Sequence, residues 1–246
     1  MRFLVVALLS LFLAPSCNCL SMKKIYFIRH SISEMNEHLK VEGNQWGIPG
    51  FIEAGLYDTK LSEAGLALVK KLNSNLRSGA VAEAKGIETA ELLLVSPLTR
   101  TMQTAHMGLE GVLREDIKKI VCPLASERLY LSSDCGKSRK ELEIEYPHYD
   151  YSMLGEDEED WWYTVPEDDY EEWRPDGAYK CPGEPRADFE ARILKFKRFL
   201  ESRQEQNIVV VAHWGVIKAI SGESLDNCEV IQLSPLEFLD ELDKNC

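Results

Sequence analysis

Four places in this 246-residue chain put a charged or imidazole side chain where a short apolar run stops. Ile25 to Ile28 is a run of β-branched and aromatic residues followed at once by Arg29-His30. Such a run reads as a strand buried on both faces, and the end of a buried strand in an open α/β sheet is where ligands bind. Leu92 to Val95 is followed by Ser96-Pro97, with Arg100 in the first turns of an expected helix. A cation at the positive end of a helix is disfavoured unless an anion offsets it. Ile208 to Ala212 delivers His213 in the same way, and Glu127 lies just beyond Val121-Cys122. By itself Glu127 reads as a surface carboxylate. Two arginines and two of only five histidines at strand ends suit the binding of a phosphate group.

The elements that must position these side chains are legible from periodicity. Ser31 and Glu34 have capping-box spacing, which predicts a helix whose free N–H groups point back at Arg29 and His30. Trp46 to Tyr57, rich in Gly and Pro, reads as a loop at a pocket rim. Leu61, Leu68, Val69 and Leu72 predict an amphipathic helix capped near Ser62. Ser96 is the expected cap of the next helix, with Pro97 at its first position. Phe189, Ile193, Phe196 and Leu200 share one helical face. Val230 to Leu233 is a candidate last strand, and 235–244 a candidate terminal helix.

The balance of charge narrows the partners. The net charge is -13, and residues 143–172 carry 13 acidic positions with no Lys or Arg among them. One segment therefore holds charge equal to the whole excess. An acidic surface without a basic stripe argues against nucleic acid or an anionic membrane as partner. Trp161, Trp162, Tyr163, Tyr170 and Trp173 interrupt the acids, which is unlike the aromatic-poor composition of disordered chains. Residues 131–183 read as a partly helical, lid-like insertion.

Residues 1–21 have the form of a secretory signal peptide: Arg2, an apolar run from Phe3 to Ala14, then Pro15 and small residues. The run is too short for stable membrane insertion. A genuine leader predicts the secretory pathway or an extracellular location; a start at Met22 predicts the cytoplasm. Beyond the leader, Cys122, Cys135, Cys181, Cys228 and Cys246 form an odd set without zinc spacing, so no disulfide framework is indicated.

Taken together, the motifs resemble those of the histidine phosphatase superfamily, the phosphoglycerate mutase-like proteins. Arg29-His30-Ser31-Ile32-Ser33-Glu34-Met35-Asn36 resembles the family's Arg-His-Gly-x-Thr-x-x-Asn signature. Ser96 to Ala105 resembles its second arginine motif, Glu127-Arg128 its acid motif and Val211-Ala-His-Trp-Gly its second histidine. The resemblance spans about residues 23–233. It implies a three-layer αβα sandwich on a mostly parallel sheet, forming one domain over residues 22–246. It also implies two-step phosphoryl transfer with neither metal nor cofactor, on a small-molecule phosphate ester.

By the matched motifs, His30 would be the nucleophile that becomes phosphohistidine, and Glu127 the acid and base, its pKa raised by burial or nearby acid. Arg29, Arg100 and Asn36 would bind the phosphoryl group together with His213. Some positions depart from the pattern. Ser31 replaces a glycine, and its hydroxyl is placed to contact phosphate. Ser33 stands in the signature where the family has threonine. Trp214 replaces a glycine and is placed to close the pocket, and Glu184 stands where relatives often carry an acid before the long helix. The mutases' Arg-Arg carboxylate grip is not evident in residues 137–141, which favours a phosphomonoesterase of small or medium organic phosphates. A phosphoglycerate mutase and a catalytically silent phosphate- or protein-binding member are the alternatives. The acid phosphatase and phytase branch is disfavoured by Ser33, Asn36 and His213-Trp214.

Overall fold

The computed structural model describes residues 23–46, 48, 51, 53–155, 161–162 and 183–238. The expected leader, residues 1–21, and the acidic runs 156–160 and 163–182 lie outside them. Five strands form one sheet: β1 (Lys24–Arg29), β2 (Leu92–Val95), β3 (Lys118–Val121), β4 (Asn207–Ala212) and β5 (Val230–Leu233). Their order is β3-β2-β4-β1-β5, with only β5 antiparallel. The parallel register sets Arg29 opposite Ala212 and Val95 opposite Val211. The carboxyl ends of β1, β2 and β4 therefore share one edge, and whatever follows them in the chain converges there.

Helices cover both faces, as expected for a parallel sheet whose strands are apolar on both sides. One face packs Ile25, Phe27, Leu94 and Val210 beneath α5 (Arg186–Ser202) and α6 (Trp214–Ser221). The other packs Tyr26, Ile28, Leu93 and Val209 beneath α2 (Glu63–Ser78), α3 (Thr99–Gly108) and α4 (Arg139–Glu145). This is the three-layer αβα arrangement. In residues 131–183, Leu142, Tyr146, Tyr151 and Leu154 belong to that second core rather than to the rim. Among the described residues, no helix is long and apolar enough to cross a membrane.

Local details depart from the sequence expectations in three places. The helix after β1, α1 (Glu34–Lys40), is capped by Ser33 with Asn36, not by Ser31 with Glu34. Ser31 is instead buried, and its hydroxyl donates to Gly65 O at 2.7 Å. Gly65 is required there, because a Cβ would lie 1.9 Å from the Ile32 carbonyl oxygen. The second departure is α3, which starts at Thr99 and not at Pro97; Asp58 accepts from both Thr99 N and Thr99 Oγ1, at 2.8 and 2.6 Å. Third, the described part of the expected terminal helix is one 3-10 turn, Pro235–Glu237.

Lys23 closes α5 from outside. Its buried Nζ donates to Leu200 O, Glu201 O and Arg203 O at 2.9, 2.9 and 2.7 Å, placing a cation on the carbonyls that end the helix.

Candidate active site

The strand edge brings together side chains far apart in the chain. His30 follows β1 and His213 follows β4, with ring centroids 5.1 Å apart. Both imidazoles are buried. His30 Nδ1 lies 2.6 Å from Ser31 O. A carbonyl can only accept, so Nδ1 carries the proton, and in the neutral ring Nε2 keeps its lone pair. Burial, then the charges of Arg100 and Arg29, hold this imidazole well below the usual histidine range. It is neutral and basic at Nε2 near neutral pH.

His213 is held the same way, by burial first and then Arg100 and the other imidazole. Its Nε2 lies 2.7 Å from Ser96 Oγ, and its Nδ1 is buried without a protein partner. Ser96 thus orients the second histidine rather than capping a helix. A buried polar atom with no protein partner, beside the first imidazole, is available to a ligand oxygen.

Two guanidiniums face this pair. Arg29 donates through Nη1 to Leu225 O at 2.6 Å, and its buried Nε has no protein partner. Arg100 is fixed by Ser133 O at 2.6 Å and by a buried ion pair with Asp134 Oδ1 at 2.8 Å. The expected anion at the start of α3 is therefore already present as Asp134. The turn carrying Asp134 is held by Glu53, whose Oε1 accepts from Ser132 Oγ at 2.7 Å. Neither Asp134 nor Glu53 has a local sequence signal, since each acts across the fold.

Glu127 is half-buried at the same pocket. Its Oε2 accepts from Gly215 N at 3.2 Å and its Oε1 from Arg128 N at 3.0 Å. Burial, and then Asp134, raise its carboxyl above the ordinary range. Glu184 does not line this pocket. It is buried and grips Arg192 through both oxygens, at 2.9 and 2.6 Å. Arg192 in turn donates to Leu124 O, Ser126 O and Glu127 O. Glu184 thus positions the segment that carries Glu127.

The other expected residues divide. Asn36 and Ser33 line the pocket, and Asn36 Oδ1 accepts from Ser33 N at 3.1 Å, which leaves the Asn36 amide Nδ2 as the end able to donate. Trp214 lines the pocket as well, its Nε1 donating to Ser224 Oγ at 2.8 Å. Ser31 does not reach it, because its hydroxyl is spent on Gly65. The pocket has a volume of about 500 Å³.

A neutral imidazole beside two guanidiniums, with an acid of raised pKa in the same cavity, is built for an electrophilic group rich in anionic oxygens. Residues 25–236 match the model of the histidine phosphatase superfamily, branch 1, and the chain belongs to that superfamily.

Solved structures agree in fold. A structure from Escherichia coli described as an alpha-ribazole-5'-P phosphatase has 18% identity and a TM-score of 0.50, covering 91% of this chain and 98% of the other. The ecdysone phosphate phosphatase from Bombix mori, in complex with tungstate, has 13% identity and a TM-score of 0.53, covering 91% and 93%. No curated protein matches the sequence.

Proposed function

We propose that the protein is a phosphomonoesterase that hydrolyses an organic phosphate through a phosphohistidine on His30, without a metal. The observation that carries this reading is the fixed tautomer of His30: Ser31 O holds the Nδ1 proton, so the nucleophilic lone pair sits on Nε2. In the first step Nε2 attacks phosphorus and the P–O bond to the alcohol breaks. That bond's electron pair goes to the leaving oxygen, which takes the proton of the Glu127 carboxyl. In this reading Arg29, Arg100, His213 and Asn36 surround the phosphoryl oxygens and offset their charge as it shifts.

In the second step a water attacks phosphorus and gives its proton to the Glu127 carboxylate. The N–P bond breaks and returns its pair to Nε2. Two displacements with a covalent intermediate replace one harder one.

The test is release of inorganic phosphate from an aryl phosphate in excess chelator, comparing the intact protein with His30→Ala. Turnover that survives the chelator and is lost in the variant supports the reading. A folded protein with no turnover above the variant's background would overturn it.

A further inference from the structure

The pocket changes character away from the phosphoryl-binding side chains. Met35 and Leu39 lie at i and i+4 on α1 and so present one apolar face. Met35 and Leu131 are buried with Phe51 in a small cluster separate from both sheet-face cores, with Leu39 and Tyr130 packed against it. Trp46 is 46% exposed, yet its ring stands edge-on to Tyr130 at 5.1 Å. Tyr130 is itself held from behind by Arg128, whose Nη1 donates to the phenol oxygen at 2.6 Å. With Trp214 these side chains make an apolar, aromatic wall.

Charge on the lining gives the complementary observation. Among the described residues, the pocket contains no Lys and no Arg besides Arg29 and Arg100. Arg100 is already paired with Asp134, and Glu127 and Asp134 are acids. Among the described residues, no further cation on this lining would hold a second anionic group on the substrate. A polyhydroxylated group would lose water against Met35, Leu39 and Leu131 without gaining hydrogen bonds there.

From this split, and resting on the phosphatase reading above, we infer that the substrate is the phosphate monoester of a bulky apolar alcohol. Its phosphate sits at His30 and its hydrocarbon lies against Met35, Leu39, Trp46, Tyr130 and Leu131. A cavity of about 500 Å³ accepts a group of drug-like size, well beyond a three-carbon acid. Phosphoglycerates and sugar phosphates are accordingly poor substrates.

The experiment compares kcat/KM over a series of n-alkyl phosphates from ethyl to octyl, with 2-naphthyl against phenyl phosphate, 3-phosphoglycerate and glucose 6-phosphate. In parallel it measures calorimetric binding of the matching alkylphosphonates, which cannot be hydrolysed. kcat/KM is expected to rise about two- to fourfold per methylene until the wall is covered, with naphthyl above phenyl. Trp46→Ala and Leu39→Asn should each lower the octyl-to-ethyl ratio. Hydrolysis without dependence on chain length, or with 3-phosphoglycerate preferred, overturns the inference and leaves the phosphatase reading standing. Failure to hydrolyse any ester, while phosphonate affinity still climbs with chain length, sinks the phosphatase reading and supports the apolar ligand. Neither turnover nor phosphonate binding overturns both.

Discussion

The main chain of Gly215 lies against the carboxyl group of Glu127. Its N–H donates to Oε2 at 3.2 Å, while a Cβ in its place would stand 2.4 Å from Oε1. The absence of a side chain at the start of α6 is thus what lets the acid sit where it does.

Gly215→Ala is therefore expected to displace the acid without disturbing the histidines. Protonation of a leaving alcohol by a positioned acid is worth roughly 10²–10⁴ in rate. kcat for an alkyl phosphate should fall about tenfold or more, and Glu127→Gln should fall further. With p-nitrophenyl phosphate, whose leaving group needs little protonation, both losses should shrink. Equal losses on the two esters would show that Gly215 does not act through Glu127.

The two titrating groups set opposite limbs of the pH profile. His30 must be neutral to attack, and burial with the charges of Arg100 and Arg29 holds it well below the usual histidine range, so the acid limb lies below that range. Glu127 must be protonated for the first step, and its pKa is raised from 4.5, so the alkaline limb lies above that value. For alkyl esters kcat/KM should be bell-shaped, with His30 setting the acid limb and Glu127 the alkaline limb. Asp134 is one cause of the raised Glu127 pKa, so Asp134→Asn should move the alkaline limb to lower pH. A shift the other way would contradict the assignment.

Glu184 and Arg192 form a pair whose carboxylate is 4% exposed. Removing one partner strands the other in the interior, which typically costs about 3–5 kcal/mol. Denaturant melts of Arg192→Met should show a loss of that order. Glu184→Leu combined with Arg192→Leu should be less destabilised than Arg192→Met, while kcat falls in both because the three carbonyls that Arg192 holds are released. A double variant with full activity would show that the clamp does not position Glu127.

Ser31 offers a contrast between stability and catalysis. Its hydroxyl donates to Gly65 O inside the protein, and losing one such bond costs about 1 kcal/mol. Ser31→Ala should lower the unfolding midpoint by a few degrees and leave KM for an aryl phosphate within about twofold of its original value. A large rise in KM would mean that the hydroxyl touches phosphate after all.

Much of this arrangement was legible in the sequence because strand signals are local. The apolar runs at 25–28, 92–95, 208–212 and 230–233 each became a strand, and the polar residues that follow the first, second and third of them met at one sheet edge. Serines were harder to place. Ser31 and Ser33 each precede a helix-compatible residue by three positions, and local spacing cannot decide which one caps; the close approach of Gly65 to Ile32 draws Ser31 inward. Ser96 looked like a cap because it follows a strand, but His213, 117 residues away, claims it, and Asp58 supplies the helix end instead. Asp134, Glu53 and Arg192 gave no signal for the same reason. Their partners are neighbours only after folding.

Lys23 fixes how short the amino terminus can become. Its ammonium is the lock on three carbonyls at the end of α5, the helix that also carries Arg192. Wherever a protease or an initiation codon sets the first residue, trimming that spares Lys23 leaves the lock closed. Trimming one residue further leaves those carbonyls without their ammonium, and α5 frays from the end remote from Arg192. A single side chain near the amino terminus thus holds the end of a helix 177 residues further along the chain.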